Sequence, residues 1–433
     1  VSVLDVLEAP EAAAAPGTYP VPPGRGRWRL TLHRRQFAAV NWQTTLIGEF
    51  QLARARKLVQ TWLKPAVLTF DLDGQAPAAS LFTELQHDVI AWRWDDTAGT
   101  DRPVFRGVIN ASQDQLDESS HVVSVTCTDY LMLLTRRILW TAATYTNMDQ
   151  DTLAATILGW ATGAQSSGGT VFGAGAYLPL SIYQSNPDGT SRPALSGNLV
   201  TRSYYGQQVA FDAFDALAKC LGGFEYDVLP LGGVGMGTAA MTDQLRIFYA
   251  GPTGPQQGVL RTSPALVYGS SVSKVTRQIT SADYGNYWRE LGNSQSNDPS
   301  VQEIGEAANV DASGTVVGLW ASPDNQASTV LAPTLVAAAA GNLNRYGVLI
   351  PVYVLTLRPG FYYAGAFNMG DTLPLVIMHG RLEVNTTVRI LGITYNIGDD
   401  GQEDVEVVVG RPDTTLYDVI GGVAADVDAL ARR

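Results

Sequence analysis

From Trp28 onward, apolar and polar residues alternate with a period of two in run after run, the pattern of strands with one buried face. Trp28, Leu30 and Leu32 alternate with Arg27, Arg29 and Thr31, and Leu68, Phe70 and Leu72 with Thr69, Asp71 and Asp73. Ile90, Trp92 and Trp94 form a third run, closed by the turn sequence Asp95-Asp96-Thr97-Ala98-Gly99. Phe50 to Leu63, ending at Pro65, reads as a mixed polar and apolar segment. The stretch Val104 to Trp140 organises what surrounds it. Val104 to Asn110 and His121 to Thr128 flank a polar connection with no apolar anchor except Leu116, which predicts neighbouring antiparallel strands. The period then lengthens: Leu131, Leu134 and Ile138 recur at helical spacing, Asp129 is placed as N-cap, and Arg136 and Arg137 suit the last turns.

Past Thr141, Asp151 is placed to cap a helix with Leu153, Ile157 and Trp160 inward and Gly163 after it. Ser166 to Ser203, rich in Gly, Ser, Pro and Asn, reads as a long irregular excursion. A second helix spans Gln207 to Leu221; Phe211, Phe214, Leu217 or Ala218, and Leu221 form its apolar face, and Gly222-Gly223 stop it. Phe224 to Leu229 and Leu245 to Tyr249 read as paired strands across a Gly-rich loop. Leu266 to Leu291 resumes strand character, Gln295 to Ser328 is polar and turn-rich, and Pro333 opens a helix through Leu335, Val336 and Leu343 that stops at Gly347. Strands follow at Leu349 to Leu357, Thr372 to Met378, Arg381 to Glu383, Val388 to Ile397 and Asp404 to Val409. The last two form a hairpin around Asp399-Asp400-Gly401, with Val405, Val407 and Val409 on one face and Asp404 and Glu406 on the other.

A chain of 433 residues exceeds one ordinary core and suggests about three domains. With 45% hydrophobic and 16% charged residues it can bury sizeable cores, and 43 Gly with 22 Pro fit many short strands and turns. The expected fold class is mainly β, a β-rich α+β chain with two small barrel-like domains, helices packed on them and an inserted α/β region. The expected boundaries are an extended arm at 1–26, a first barrel-like domain at 27–140, a middle α/β region at 141–260, a second barrel-like domain at 261–411 with a helix near 333–346, and a tail helix at 412–433 carrying Val423, Val427 and Leu430. Five prolines favour an extended course for the arm. Val1, Val3, Leu4, Val6 and Leu7 are too apolar for a pure spacer, so docking on a neighbouring subunit stands beside a loose terminus.

The net charge of −12 argues against a nucleic-acid-binding surface, and only Arg25, Arg27, Arg29, Arg34 and Arg35 cluster. No apolar run reaches the roughly 18 residues of a membrane span; the longest, Leu335 to Ala340 and Val348 to Leu355, are core-sized. No basic segment leads into an apolar one at the start, so no secretory signal is expected. Cys127 shares strand parity with Val123 and Val125 and reads as buried, as does Cys220 near a helix end. His33, His87, His121 and His379 lack zinc-ligand spacing, and six residues of strand hold His121 roughly 20 Å from Cys127, too far for a dyad. No G-x-S-x-G occurs, and Gly232 to Gly237 lacks the Lys-Ser/Thr of a phosphate loop. Asp71 with Asp73, or Asp149 with Asp151, could serve a glycosidase, but solvated faces and helix caps account for such pairs far more often. No catalytic, cofactor-binding or metal site is expected.

Phe105-Arg106-Gly107, followed by Val123, Val125, Cys127, Asp129-Tyr130, Leu134 and Arg136-Arg137, resembles the first domain of the hub proteins, often labelled minor tail proteins, at the tail tip of long-tailed actinobacterial phages. Gly370-Asp371, the run Arg389 to Ile393, the Gly398-Asp399-Asp400-Gly401 hairpin and Asn286-Tyr287-Trp288-Arg289 resemble later parts of the same family, in order, so that the likeness covers most of 27–411. The arm and Ser166 to Ser203 match nothing in it. The resemblance implies a homotrimer whose six barrel domains surround a channel, docking the six-fold tail tube above and a three-fold tip below. It further implies contact with distal tail or tail-tube proteins, the tape measure protein and other tail-tip proteins, assembly in the bacterial cytoplasm and residence in the virion. Two other readings stand beside it. Some hub relatives carry a cell-wall hydrolase as a C-terminal extension, although this chain ends shortly after its last strand. The nine Trp and the excursion at 166–203 would suit a carbohydrate-binding adhesin. A conduit must pass DNA without binding it, and Asp71, Asp73, Asp404 and Glu406 fall on free strand faces, making them the candidate channel-lining residues.

Overall fold

A computed structural model describes residues 28–38, 41–50, 53–95, 99–139, 142–161, 180–186, 188–191, 196–204, 206–218, 224–230, 239–240, 243–249, 257–279, 284–292, 304–308, 319–326, 336, 339–340, 343, 347, 349, 351–359, 366–399 and 403–410. The protein is mainly β with few helices. The first stretch holds β1 (Trp28–Ala38), β2 (Asn41–Glu49), β3 (Arg54–Thr61), β4 (Val67–Asp73), β5 (His87–Asp95), β6 (Thr100–Leu116), β7 (His121–Asp129) and α1 (Leu131–Thr135). Next come β8 (Ala143–Asp149), α2 (Gln150–Ala161), β9 (Leu180–Ser185), β10 (Leu199–Tyr204), α3 (Ala210–Ala218), β11 (Phe224–Leu229), β12 (Ala239–Ala240) and β13 (Asp243–Tyr249). The rest comprises β14 (Leu266–Val267), β15 (Val272–Gln278), β16 (Tyr287–Gly292), β17 (Ile304–Ala308), β18 (Ala321–Gln326), β19 (Val352–Leu357), β20 (Thr372–His379), β21 (Leu382–Ile397) and β22 (Glu403–Gly410).

Two compact units form. One takes Val1–Val275 with Leu355–Val408, the other Thr276–Val354 with Val409–Arg433. In the first, hydrogen bonds run along the path β12-β2-β1-β5-β6-β7-β4-β3-β21-β22-β19-β15, with β20 joining β21 and β14 joining β20. Two long strands organise it. The 17-residue β6 lies beside β5 over Thr100 to Val108 and beside β7 over Gly107 to Leu116. The 16-residue β21 lies beside β20 over Leu382 to Arg389 and beside β3 over Gly392 to Ile397. Each long strand thus passes from one neighbour to the next. Leu30, Leu32, Leu58, Leu68, Phe70, Val125 and Cys127 are buried around the first, and Leu355, Leu373, Leu375, Ile390, Ile393 and Val407 around the second.

The same unit carries the middle segment. β11 pairs antiparallel with β13, and β13 parallel with β9. β8 and β10 make a separate ribbon. α3 packs on α1 and α2 and buries Ala213, Phe214 and Leu217, with the Phe214 ring against those of Phe224 and Tyr226 on β11. Asp149, not Asp151, caps α2: its carboxylate accepts the Asp151 N–H at 3.0 Å, and the Ser196 hydroxyl and the Gly197 N–H at 2.8 Å each. Trp160 is half-buried against Tyr145 rather than inward. The excursion at 166–203 is not irregular throughout, because it contributes β9 and all of β10 except Tyr204.

Several other expectations shift. α1 stops at Thr135 because Arg137 to Leu139 leaves to pair with Gln207 to Ala210. The polar connection before His121 is strand as far as Leu116, which is exposed, and only Asp117 to Ser120 turns, held by Asp117 accepting the Ser119 and Ser120 N–H groups. Past Ala91 the buried positions of β5 are Arg93 and Asp95, while Trp92 and Trp94 are half-buried. The segment 50–63 supplies β3, and β2 precedes it.

The second unit centres on β16, with β17 antiparallel on one side and β18 parallel on the other, so the span 295–328 also carries strands. Asn286, fully buried, exchanges hydrogen bonds with the Trp320 backbone, and Trp288 Nε1–H donates to Gly285 O at 2.9 Å. Val336, Ala339, Ala340 and Leu343 are helical as expected, and the Gly347 N–H closes on Leu343 O at 2.8 Å. Val336 is exposed, and Ala339 rather than Val336 faces inward. The arm at 1–26, Cys220, Gly222-Gly223, the Asp400-Gly401 turn and the tail at 412–433 lie outside the described residues.

Candidate functional site: a carboxylate-bearing sheet face and two buried arginines

Each long strand of the first unit buries one arginine. Arg106 on β6 is 2% exposed. Gly107 beside it has no room for a Cβ, which would fall 2.5 Å from Thr128 O and 2.4 Å from the Phe105 ring, so Phe105-Arg106-Gly107 is one packing device. The guanidinium donates to Asp243 at 3.3 Å and Asp88 at 3.5 Å and lies 5.0 Å from the Tyr130 ring, whose hydroxyl donates to Asp88 at 2.5 Å. Burial works against its charge, and Tyr130, Asp243 and Asp88 outweigh that and raise its pKa. The same burial, with Arg106 nearby, pushes His33 down to about 4 and leaves it neutral against the Thr31 hydroxyl, 2.9 Å away.

Arg389 on β21 is 3% exposed and meets Glu225 bidentately, at 3.1 and 2.6 Å. It also donates to Gln257 O at 2.7 Å and Gly370 O at 3.1 Å, and stacks 3.7 Å from the Trp62 ring. Burial raises the Glu225 pKa to about 7 against the pull of Arg389. Gly370, at φ +83°, crosses Gly258 at +86° so closely that neither tolerates a Cβ. Asp371 then accepts the Val259 and Asn368 N–H groups and pairs with Arg261. Arg106 and Arg389 therefore grip opposite ends of the β11/β13 hairpin, through Asp243 and Glu225. A third buried pair, Arg93 with Glu403 at 3.0 Å, ties β5 to β22. Sequence reasoning placed Arg106 and Arg389 in motifs without giving them a role. The available signal was a single charge inside an apolar run, which a folded chain keeps only with a partner.

The four candidate carboxylates share one sheet face. Leu58 pairs with Leu68 on β4 and with Tyr395 on β21, and these side chains and Val405 and Val407 of β22 are buried on the inner side. Asp71, Asp73, Asp404 and Glu406 have the opposite parity, and across β4, β3, β21 and β22 they lie on the same outer face. Gly392 and Val408 meet on that face, a Cβ on the glycine falling 3.4 Å from Val408 Cβ. The face is not uniformly acidic, because Arg54 stands opposite Asp71 and Lys57 opposite Thr69. Asp71 accepts the Ser124 hydroxyl at 2.6 Å and Asp73 the Gln75 N–H at 2.9 Å. Of the basic cluster near the start, Arg29 pairs with Asp101 and Glu49, and Arg35 with Asp88. Among the described residues no group of His, Cys, Asp and Glu is arranged to hold a metal ion, and no helix is long and apolar enough to cross a membrane.

In fold, this architecture is similar to phage tail proteins of known structure. It is similar to the 43 kDa tail protein of prophage MuSo2 from Shewanella oneidensis (TM-score 0.55, 12% identity, 89% of this chain and 99% of that one). It is likewise similar to a tail protein from Neisseria meningitidis MC58 (0.54, 9%, 89% and 99%) and to prophage tail protein gp18 from Listeria monocytogenes EGD-e (0.51, 10%, 92% and 99%). No family model and no curated protein sequence matches the chain.

Proposed function

We propose that the chain is a structural tail-tip, or baseplate, hub protein of a bacteriophage, acting by assembly rather than catalysis. The observation that carries this is the fold likeness, which runs over 89% of this chain and 99% of the Shewanella tail protein. The two long strands, each changing neighbours along its length and each with a buried arginine gripping the β11/β13 hairpin, support the division into two barrel-like domains joined by a middle region. Three chains would then present six such domains in a ring that adapts a six-fold tube to a three-fold tip. The outer face with Asp71, Asp73, Asp404 and Glu406 is the wall this reading turns toward the channel, where DNA passes without specific binding. Partners are the distal tail or tube proteins, the tape measure protein and other tip proteins of the virion, with assembly in the bacterial cytoplasm.

Image reconstruction of intact particles tests the reading through copy number and position. Three copies around the axis at the tail tip are expected, and a position on the tail shaft or capsid overturns it. Incubating the purified chain with cell-wall material tests the structural role, since release of soluble fragments would make it a hydrolase.

A further inference from the structure

A cleft of about 420 Å³ opens in the first unit, within the range of ligand-binding pockets. Buried Phe248, Ile393 and Tyr395 contribute to its floor, and four arginines to its walls. Three of these are paired: Arg93 with Glu403, Arg246 with Asp227 and Arg261 with Asp371. The fourth, Arg102, is exposed and has no ion pair or hydrogen bond among the described residues. In a chain of net charge −12, an uncommitted cation on a concave surface is a site for a carboxylate. On the same cleft Gln257 is 3% exposed; its amide N–H donates to Asp227 at 2.6 Å, and its side-chain carbonyl oxygen has no donor. Buried carbonyls are almost always paired, so this one calls for an N–H. An acidic, aliphatic peptide supplies the carboxylate, the backbone N–H and side chains for the floor.

We propose that the cleft receives residues 1–9 of a neighbouring copy of this chain, a step that rests on the ring reading above. This segment, outside the described residues, carries Asp5 and Glu8 among Val3, Leu4, Val6 and Leu7. The chain enters the described fold at Trp28, the cross-strand partner of Arg93, with its ring 5.3 Å from that of Tyr395. The arm therefore sets out from the edge of its own cleft. Pro10, Pro16, Pro20, Pro22 and Pro23 favour an extended course between. At roughly 3 Å per residue, the stretch from Pro10 to Trp28 spans about 55 Å, which carries the acidic head away from its own cleft to the next.

The test places a photoreactive benzoylphenylalanine at Leu7 in the full chain and mixes isotopically heavy and light copies. Cross-links from position 7 to peptides containing Arg102 or Phe248, in heavy–light pairs, are expected. Arg102→Glu should lower their yield about tenfold, and adding Asp5→Lys with Glu8→Lys should restore it. Cross-links within single copies alone, cross-links elsewhere, or a yield indifferent to Arg102→Glu overturns the proposal. Native mass spectrometry of the same sample separates this from the ring reading. A trimer without the mixed cross-link ends the docking and leaves the ring, whereas the mixed cross-link in an assembly of another size does the reverse.

Discussion

A side chain on Gly107 has nowhere to go, because its Cβ would meet the Thr128 carbonyl of the neighbouring strand as well as the Phe105 ring. The ring can rotate away, but the strand backbone cannot without breaking the β6–β7 ladder. Gly107→Ala is therefore expected to cost about 1–3 kcal/mol, read as a lower urea midpoint at unchanged slope. Arg389 poses the complementary problem of a charge that is buried only because it is paired. Arg389→Met leaves Glu225, 4% exposed, without its counter-ion, and breaking one side of such a pair costs about 3–5 kcal/mol. Glu225→Gln should be costly by the same logic. The double variant should lose much less than the sum of the two, because it removes the stranded charge together with its partner. Denaturation of the four proteins measures this coupling, and simple additivity would show that the pair does not act as a unit.

At the scale of elements, Asp129 joins the start of α1 to the turn before β4, accepting the Leu131 N–H at 3.0 Å and the Ala66 N–H at 2.7 Å. Burial raises its pKa from 3.8 to about 7 despite those two donors. A carboxyl with a raised folded-state pKa contributes stability that is fully present below its unfolded value and is lost as pH rises through about 7. Asp129→Asn should flatten the slope between about pH 4 and about pH 7, the interval between the unfolded and folded values, which this group sets at no more than about 1.4 kcal/mol per unit. His33 has the opposite sign. Its pKa falls from 6.5 to about 4, so its contribution is present above 6.5 and lost as pH drops toward 4, and His33→Gln should remove that loss. Melting temperatures across pH, compared as slopes between variant and parent, check both. The elements legible in the sequence were those whose apolar residues alternate: β1, β4, β7, β11, β13, β20 and β22; β21 is one strand where the pattern predicts two, because the polar Asn385-Thr386-Thr387 interrupts its apolar positions. β2 and β3 were not legible, because NWQTTLIGE and RARKLVQT owe their places to strands on either side rather than to an apolar stripe. The parity of β5 misled because Trp92, half-buried, gives its indole N–H to the buried Thr31 hydroxyl, while Arg93 turns inward to Glu403. A buried ion pair cannot be read from either partner alone, since the two lie far apart in the chain.

For the whole molecule, the proposed ring turns the outer face of β4, β3, β21 and β22 toward its channel, and on that proposal the charge of this face sets whether DNA passes or is held. Double-stranded DNA binds wherever Lys and Arg displace its counterions, and affinity falls with salt by about 0.9 log units per log unit for each phosphate neutralised. Arg54 and Lys57 already stand on this face, opposite Asp71 and Thr69, so its neutrality toward DNA depends on the carboxylates around them. Asp404 and Glu406 are the ones to change, because neither has a hydrogen bond or ion pair among the described residues, so replacing them is expected to leave the fold intact. Asp404→Lys with Glu406→Lys should turn a wall that ignores DNA into one that retains it. Gel-shift of the assembled protein with duplex DNA at about 50 and about 200 mM salt reads the change. The parent should show no retention at either salt, and the variant should retain DNA at the lower salt and release it at the higher. Retention by the parent, or a variant as indifferent as the parent, would place this face away from the path of the DNA.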